Sequence, residues 1–187
     1  GSEMCIRDRN YIGHYENILE KKVCDDLIEY TNKMQLKPST YSSTTGKIKN
    51  SKERVKMDDV WFKEGEPYFK EIFNGFSDVI KNYQREHEDC RIQKHCGFRL
   101  NKYSEGGFMS RHIDNIHHSH GQEYGYPQLS ALLFLNDNYK GGEFIVSDAE
   151  YNPKQGSAII FPSNFMFPHE VKTIKKGIRY SIVTWLM

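Results

Sequence analysis

From about Arg91 onward, the chain consists of short β-prone segments separated by turn signals. The segments are CGFRLNKY, LSALLFL, GGEFIVS, SAIIFP, HEVKTI and RYSIVTWL, and the turn signals between them include Asn-Asp-Asn, Gly141-Gly142, Asn152-Pro153 and Lys176-Gly177. Short strands at this spacing are typical of an all-β sandwich or barrel of antiparallel strands. Gly141-Gly142 predicts a tight turn that needs positive φ angles.

The residues before this region predict two helices joined by a polar loop. Residues 23–34 carry a roughly helical apolar stripe, whereas residues 37–57 are rich in Ser, Thr and Lys and predict a mobile loop. The second helix is the stronger prediction. Its buried face would consist of Phe69, Ile72, Phe73, Phe76, Val79, Ile80 and Tyr83, with Pro67 in its first turn. Helices followed by strands predict one α+β domain in which the helices support a sheet.

The composition favours a globular protein without a strongly charged surface. The chain has 187 residues and a formal net charge of +1, so no overall field favours nucleic acid or an anionic membrane as a partner. No apolar run approaches the roughly 20 residues that cross a bilayer, and the first nine residues have no apolar signal region. Four cysteines without a CxxC pair favour reduced thiols and a cytoplasmic location.

Two histidines and one carboxylate stand out within the β-prone half. His112 and Asp114 are two residues apart, a spacing that places both side chains on one face of a β-strand. His169 must then come from a second strand. Imidazole nitrogen and carboxylate oxygen together suit Fe(II), and three ligands on one face leave positions open for substrate and oxygen. Arg179, ten residues beyond His169, would give the same cavity a fixed cation.

The motifs around these residues resemble those of the 2-oxoglutarate- and Fe(II)-dependent dioxygenases, in particular the prolyl 4-hydroxylase-like branch. They are RLNKYSEGGFMSRHIDN (99–115), LLFLNDNYKGGEFIV (132–146), PKQGSAIIFPS (153–163), FPHEVKTI (167–174) and GIRYSIVTW (177–185). The resemblance implies a double-stranded β-helix (jelly-roll) core over residues 91–187. Residues 11–90 would be its N-terminal helical support. Residues 1–10, in which Gly1-Ser2 looks like a remnant of a cleaved tag, have no assigned role.

The resemblance also assigns roles in the cosubstrate pocket. His112, Asp114 and His169 would bind Fe(II), and Arg179 would hold the distal carboxylate of 2-oxoglutarate, because guanidinium matches a carboxylate bidentately. Ser181, two residues further along the strand, would be a second donor to that carboxylate. Tyr103 would reach the cosubstrate with its phenol.

One position departs from the oxygen-sensing prolyl hydroxylases. Where those enzymes place a tyrosine beside the distal carboxylate, this chain has Phe134, which has no hydrogen-bond donor. The carboxylate would therefore depend more on Arg179 and Ser181. An ordinary core role remains open for Tyr103.

Substrate contacts are expected around the mouth of the cavity. Arg111, Tyr124, Tyr126 and Trp185 are the candidate residues, although core packing alone would also explain Trp185. The run at residues 116–127 predicts a loop beyond the iron strand that acts as a lid together with residues 37–57. A second metal bound by His117, His118 and His120 is the alternative for that run.

The resemblance implies hydroxylation of a prolyl residue in a peptide or protein, coupled to the conversion of 2-oxoglutarate and O2 into succinate and CO2. Ascorbate would be the reductant. Two alternatives remain open: an oxygenase that acts on another residue or on a small molecule, and a degenerate jelly-roll module that binds without turnover. A nucleic-acid demethylase is disfavoured, because it would need a basic surface that the composition does not provide.

Overall fold

The structure is a computed structural model that describes residues 11–42, 48–49, 53–114 and 126–187. The helices within these ranges are α1 (Lys21–Asn32) and α2 (Phe69–Glu86). The strands are β1 (Gly13–Tyr15), β2 (Lys37–Pro38), β3 (Tyr41–Ser42), β4 (Ile48–Lys49), β5 (Val55–Lys56), β6 (Asp58–Phe62), β7 (Phe98–Tyr103), β8 (Phe108–His112), β9 (Leu129–Phe134), β10 (Lys140–Gly141), β11 (Phe144–Val146), β12 (Ala149–Tyr151), β13 (Ala158–Pro162), β14 (His169–Val171), β15 (Ile174–Lys176) and β16 (Arg179–Leu186).

Two antiparallel sheets form the core. The major sheet has seven strands in the order β1-β13-β9-β16-β7-β6-β2, and the minor sheet has five in the order β12-β11-β14-β8-β5. Two short pairs, β10–β15 and β3–β4, lie outside them. Strands that are distant in sequence are neighbours in both sheets. This is the α+β jelly roll with supporting helices that the sequence predicted.

The outer face of the major sheet packs against the helices. Along β16, Tyr180, Ile182 and Leu186 belong to an apolar cluster that also contains Leu27 of α1 and Phe76 of α2. The alternation of side chains along a strand sends the intervening residues to the opposite face. The helices therefore cover one face of the sheet and leave the other face to the interior of the jelly roll.

The inner face of the major sheet packs against the minor sheet. A second apolar cluster joins Leu132, Val183 and Trp185 of the major sheet with Phe144 and Val171 of the minor sheet. At the end of β16 where the strand begins, the inward positions are polar. The region between the two sheets therefore has an apolar interior and a polar end.

The sequence predicted the two helices but misplaced some of their residues. Tyr68, with a φ of 66°, is the residue before α2, so Pro67 lies outside the first turn. Phe73 is 44% exposed, so its predicted place on the buried face is wrong. It lies on the flank of the helix and contacts the rings of His95 and Phe98. Gly75 takes a buried position instead.

The prediction that residues 37–57 form a loop is wrong for part of this segment. It contains β2, β3, β4 and β5, and β6 and β1 were also not predicted as strands. Through backbone hydrogen bonds, β1 pairs with β13, β2 with β6, β5 with β8 and β6 with β7, and β3 pairs with β4. Pairing of this kind requires no apolar pattern in the sequence. None of the described helices is long and apolar enough to cross a membrane.

Candidate metal centre and cosubstrate pocket

Two facing strand ends of the minor sheet bring the two histidines together. His112 is the last residue of β8 and His169 the first residue of β14, and the antiparallel register pairs them directly. Asp114 lies two residues beyond the end of β8, so its predicted position on the same strand is wrong. The β8–β14 ladder ends at this pair, and the chain turns there with the carboxylate still directed at both imidazoles.

The three side chains form a compact donor set. Asp114 Oδ1 lies 3.5 Å from His112 Nε2, and Asp114 Oδ2 lies 3.3 Å from His169 Nε2. One ligand atom from each residue lies within 4.8 Å of the others. Asp114 and His169 are buried, whereas His112 is partly exposed. Two nitrogens and one oxygen at this spacing fit Fe(II) and leave coordination positions for other ligands.

Hydrogen bonds orient both imidazole rings. His112 Nδ1 lies 2.8 Å from the carbonyl oxygen of Ser110, and His169 Nδ1 lies 3.2 Å from that of Phe167. A ring that donates its Nδ1 proton to a carbonyl keeps the Nε2 lone pair free for a metal. Both rings are therefore oriented with Nε2, the nitrogen nearest Asp114, as the atom that would bind a metal.

The Asp114 carboxylate is anchored from the major sheet. Ser130 of β9 donates a hydrogen bond to Asp114 Oδ2 at 2.7 Å, and the Ser130 hydroxyl lies 2.8 Å from that of Ser163. Burial alone would raise the pKa of Asp114, but the interactions with His169 and His112 outweigh it and hold the pKa well below its ordinary value. The carboxyl group is therefore ionised and ready to bind a cation.

Arg179 is a fully buried cation inside the jelly roll. Its Nη1 lies 3.3 Å from Ser181 Oγ, whereas its Nε and Nη2 have no hydrogen-bond partner among the described residues. A buried guanidinium without a counter-ion is costly, so these orphaned donors indicate that a ligand anion completes the site. The planar fork suits a carboxylate.

Aromatic rings surround the guanidinium, and one of them also neighbours the metal centre. The Arg179 guanidinium carbon lies 5.1 Å from the ring centroid of Tyr103, 5.2 Å from that of Phe134 and 6.0 Å from that of Phe144. The Phe144 ring is in turn 6.0 Å from the imidazole of His169. Arg179 and His169 are therefore both neighbours of the Phe144 ring, which brings the buried cation and the donor set into one cavity.

Comparisons with known proteins agree with this geometry. The family model of the 2OG-Fe(II) oxygenase superfamily matches residues 98–187, the segment that carries the triad and Arg179. These residues belong to that superfamily. The matched segment is called the oxygenase domain below.

Individual relatives of the oxygenase domain are hydroxylases. The chain is 36% identical over 93 residues to a PKHD-type hydroxylase of Rippkaea orientalis, which covers 46% of this chain and 40% of that protein. It is 39% identical over 69 residues to human prolyl 3-hydroxylase 2, which covers 33% of this chain and 10% of that protein. The chain thus spans less than half the length of these relatives.

A solved structure shares the fold over almost the whole chain. A prolyl-4-hydroxylase of Pseudomonas putida superposes with a TM-score of 0.71 at 17% sequence identity, covering 94% of this chain and 91% of that one. The double-stranded β-helix assignment of the oxygenase domain is thereby confirmed.

The structure places the three predicted cosubstrate residues together in the oxygenase domain. Ser181 is fully buried beside Arg179, and Tyr103 is the Cα partner of Arg179 in the β7–β16 ladder. Burial raises the pKa of Tyr103, so its phenol is protonated and is a hydrogen-bond donor. Phe134 lies beneath the guanidinium, as its predicted position beside the distal carboxylate implied. Gly141 and Gly142 have φ angles of 74° and 70°, which confirms the predicted positive φ angles, although Gly141 lies in β10 rather than in a tight turn.

The predicted substrate contacts are more scattered. Arg111 is exposed and donates a hydrogen bond to the carbonyl oxygen of Ser147 at 2.8 Å, so it lies on the surface beside the centre. Tyr126 is 44% exposed, whereas Trp185 is buried on the inner face of the major sheet. Tyr124 and the three histidines His117, His118 and His120 lie outside the described residues, as does most of the predicted lid.

The sequence did not predict the residues that support the triad of His112, Asp114 and His169. Ser130 holds Asp114, and Phe144 and Phe161 pack against the ring of His169. For Ser130 a signal was present, because it is the one hydroxyl in the otherwise apolar segment LSALLFL. For the two phenylalanines the sequence contained no signal, because a phenylalanine beside a metal site has the same sequence pattern as any other core phenylalanine.

Proposed function

We propose that this chain is an Fe(II)- and 2-oxoglutarate-dependent dioxygenase that hydroxylates a prolyl residue of a peptide or protein at the 4-position. Succinate and CO2 would be the coproducts, and ascorbate would keep the iron reduced. The observation that carries the proposal is the compact His112–Asp114–His169 donor set, with the buried Arg179 guanidinium beside the Phe144 ring that also neighbours His169.

Each residue has a distinct task in this proposal. His112, Asp114 and His169 hold Fe(II), which supplies the oxidative chemistry when 2-oxoglutarate and O2 are bound. Arg179 and Ser181 bind the distal carboxylate of the cosubstrate and so orient its 2-keto acid end toward the metal. Phe134 and Phe144 exclude water around that carboxylate, which strengthens its pairing with the guanidinium.

The choice of a prolyl substrate is supported by the relatives. A PKHD-type hydroxylase, a prolyl 3-hydroxylase and a prolyl-4-hydroxylase all resemble this chain, and the names of the last two specify different carbons. The resemblance of the motifs to the 4-hydroxylase branch favours the 4-position. The complete triad and the buried cation argue against the alternative of a module that binds without turnover.

The three described cysteines are free, which supports a reducing, cytoplasmic location.

The decisive experiment is mass spectrometry of proline-containing peptides incubated with the protein, Fe(II), 2-oxoglutarate and ascorbate. We expect a gain of one oxygen on proline with an equal amount of succinate. Amino-acid analysis against 3- and 4-hydroxyproline standards identifies the carbon.

Asp114→Ala is the matched inactive variant, because it removes the anionic metal ligand and should abolish both products. Succinate formed in wild type without oxygen on any peptide would reject the prolyl substrate but keep the oxygenase. Succinate formed equally by Asp114→Ala would reject the metal centre itself.

A further inference from the structure

A second arginine lies on the inner face of the major sheet, held between tryptophans. Arg99 precedes Tyr103 by four residues on β7, so both side chains point to the same face. Its guanidinium carbon lies 4.7 Å from the ring centroid of Trp185 and 5.9 Å from that of Trp61. Its Nε donates a hydrogen bond to Asn101 Oδ1 at 3.0 Å. Stacking and hydrogen bonding therefore fix the direction of this side chain.

This side chain is linked to the metal centre by a short series of neighbours. Trp185 is the Cα partner of Ser130, and Ser130 donates the hydrogen bond that anchors Asp114. Because directly opposed residues of an antiparallel pair point to the same face, Trp185 and Ser130 both face the interior. Arg99, stacked on Trp185, thus lies on the side of the cavity that contains the triad.

Arg99 is separate from the proposed 2-oxoglutarate clamp. In the β7–β16 ladder Arg179 pairs with Tyr103, whereas Arg99 pairs with Val183. Four residues of strand correspond to about 13 Å. The contacts with Trp61 and Trp185 keep the Arg99 guanidinium at its own end of the ladder. A five-carbon cosubstrate held by Arg179 therefore leaves Arg99 available for another ligand.

Among the described residues, no carboxylate forms an ion pair with Arg99. Within residues 11–40, 53–114 and 126–187, no acidic side chain lies within 4.0 Å of its guanidinium. The nearest acidic residue by register is Asp59, which is opposite Asn101 and forms no ion pair with Arg99. The side chain is partly exposed, so a ligand can reach it. An oriented, accessible guanidinium without a counter-ion is suited to bind a carboxylate from outside the protein.

We propose that Arg99, with Trp61 and Trp185, forms a subsite that binds a carboxylate of the substrate, namely an acidic residue close to the hydroxylated proline. The inference rests on the proposed function and adds a preference for acidic peptides. Arg99 is thus a specificity-determining residue, and the two tryptophans position it.

The chain offers a direct measure of binding at this subsite. It contains two tryptophans, and both contact Arg99, so intrinsic fluorescence reports on its surroundings. Capped peptides with one proline and one Asp or Glu within three residues of it are titrated anaerobically into the protein with Fe(II) and 2-oxoglutarate. Peptides with Asn or Gln at the same position are the neutral partners. We expect at least one acidic peptide to bind about tenfold more tightly than its neutral partner at fixed ionic strength.

Three variants separate recognition from general damage. In Arg99→Gln the ratio of the two dissociation constants should fall to about one, and in Arg99→Lys it should be partly restored because the charge returns without the planar fork. Arg91→Gln removes an equal charge from an exposed arginine that contacts the carbonyl oxygen of Cys90, and it should keep the wild-type ratio. Thermal unfolding checks that each variant is folded.

The outcomes distinguish this subsite from the proposed function. A wild-type protein that binds acidic and neutral peptides equally, or a preference that survives Arg99→Gln, overturns the subsite. Tight, Arg99-dependent binding of acidic peptides without oxygen on proline would keep the subsite and reject the prolyl reaction. Hydroxylated proline without an acidic preference would reject the subsite alone.

Discussion

At the scale of single residues, the Asp114 carboxylate receives more support than its position after a strand end would suggest. His112 Nε2 is close to Asp114 Oδ1, and His169 Nε2 is close to Asp114 Oδ2. Ser130, from the major sheet, donates a hydrogen bond to Oδ2. A ligating carboxylate that is also hydrogen-bonded is fixed in direction, and its loss of freedom on binding a metal is small. Ser130 should therefore contribute to metal affinity without touching the metal.

Ser130→Ala is expected to weaken Fe(II) binding by about 10- to 100-fold, because it removes the hydrogen bond that orients Asp114. Anaerobic calorimetric titration of Fe(II) into wild type and variant measures the change. Ser77→Ala, which removes an exposed hydroxyl bonded to the Phe73 carbonyl on α2, is the control and should bind as wild type does. Equal affinity in Ser130→Ala would show that the histidines alone orient the carboxylate.

The residues that the sequence predicted are those whose chemistry is rare in a β-strand. Two histidines, an aspartate and a buried arginine in family order are improbable as ordinary core residues, so spacing and motif were sufficient to bring them together. Ser130 and Arg99 are common residue types in common positions. Only their neighbours across the sheets, Asp114 for one and Trp185 for the other, give them a role.

At the scale of elements, α2 shows how far helical periodicity determines burial. Phe76 is 2% exposed and stacks on Phe98 at a centroid distance of 5.3 Å, whereas Phe73, three residues earlier, is 44% exposed. The two phenylalanines belong to the same apolar pattern in the sequence. What separates them is the angle at which the helix meets the major sheet, which the sequence of the helix does not contain.

Phe76→Ala should lower the free energy of unfolding by about 3–5 kcal/mol, because it leaves a cavity between α2 and the sheet. Phe73→Ala should cost only about 1 kcal/mol, because nearly half of that side chain is already in water. Urea unfolding followed by far-ultraviolet circular dichroism measures both. Similar losses for the two variants would contradict the orientation of α2.

The strands divide in a comparable way. The long, apolar strands β9, β13 and β16 were predicted because both of their faces are covered, which requires continuous apolar sequence. The short strands β1, β2 and β5 lie at sheet edges and consist of two or three residues. Backbone hydrogen bonds to a neighbouring strand hold them in place. Because such bonds do not require particular side chains, the sequences of these strands do not predict a β-strand.

At the scale of the whole molecule, the buried Arg179 makes the folded state incomplete without an anion. The native protein contains a desolvated guanidinium whose Nε and Nη2 have no partner in the described part of the chain. The unfolded chain hydrates the same group fully. A dicarboxylate that binds only the native state should therefore stabilise the protein strongly through this side chain.

In the presence of Fe(II) under anaerobic conditions, 2-oxoglutarate at 100 times its dissociation constant should add about 2.7 kcal/mol of stability. For a domain of this size, the melting temperature should rise by roughly 5–10 °C. In Arg179→Gln the rise at the same 2-oxoglutarate concentration should disappear. The monocarboxylate 2-oxobutyrate lacks the distal carboxylate, so its effect should be the same in both proteins. An undiminished rise in Arg179→Gln would place the distal carboxylate elsewhere.

The hydrogen bond from Ser130 has a further consequence for how the two sheets move. Both histidines belong to the minor sheet, while Asp114 is tied to the major sheet, so an ion held by all three cross-links the sheets at their polar end. Loss of the ion would remove this cross-link, so the two sheets should move more freely against each other at that end in the metal-free protein.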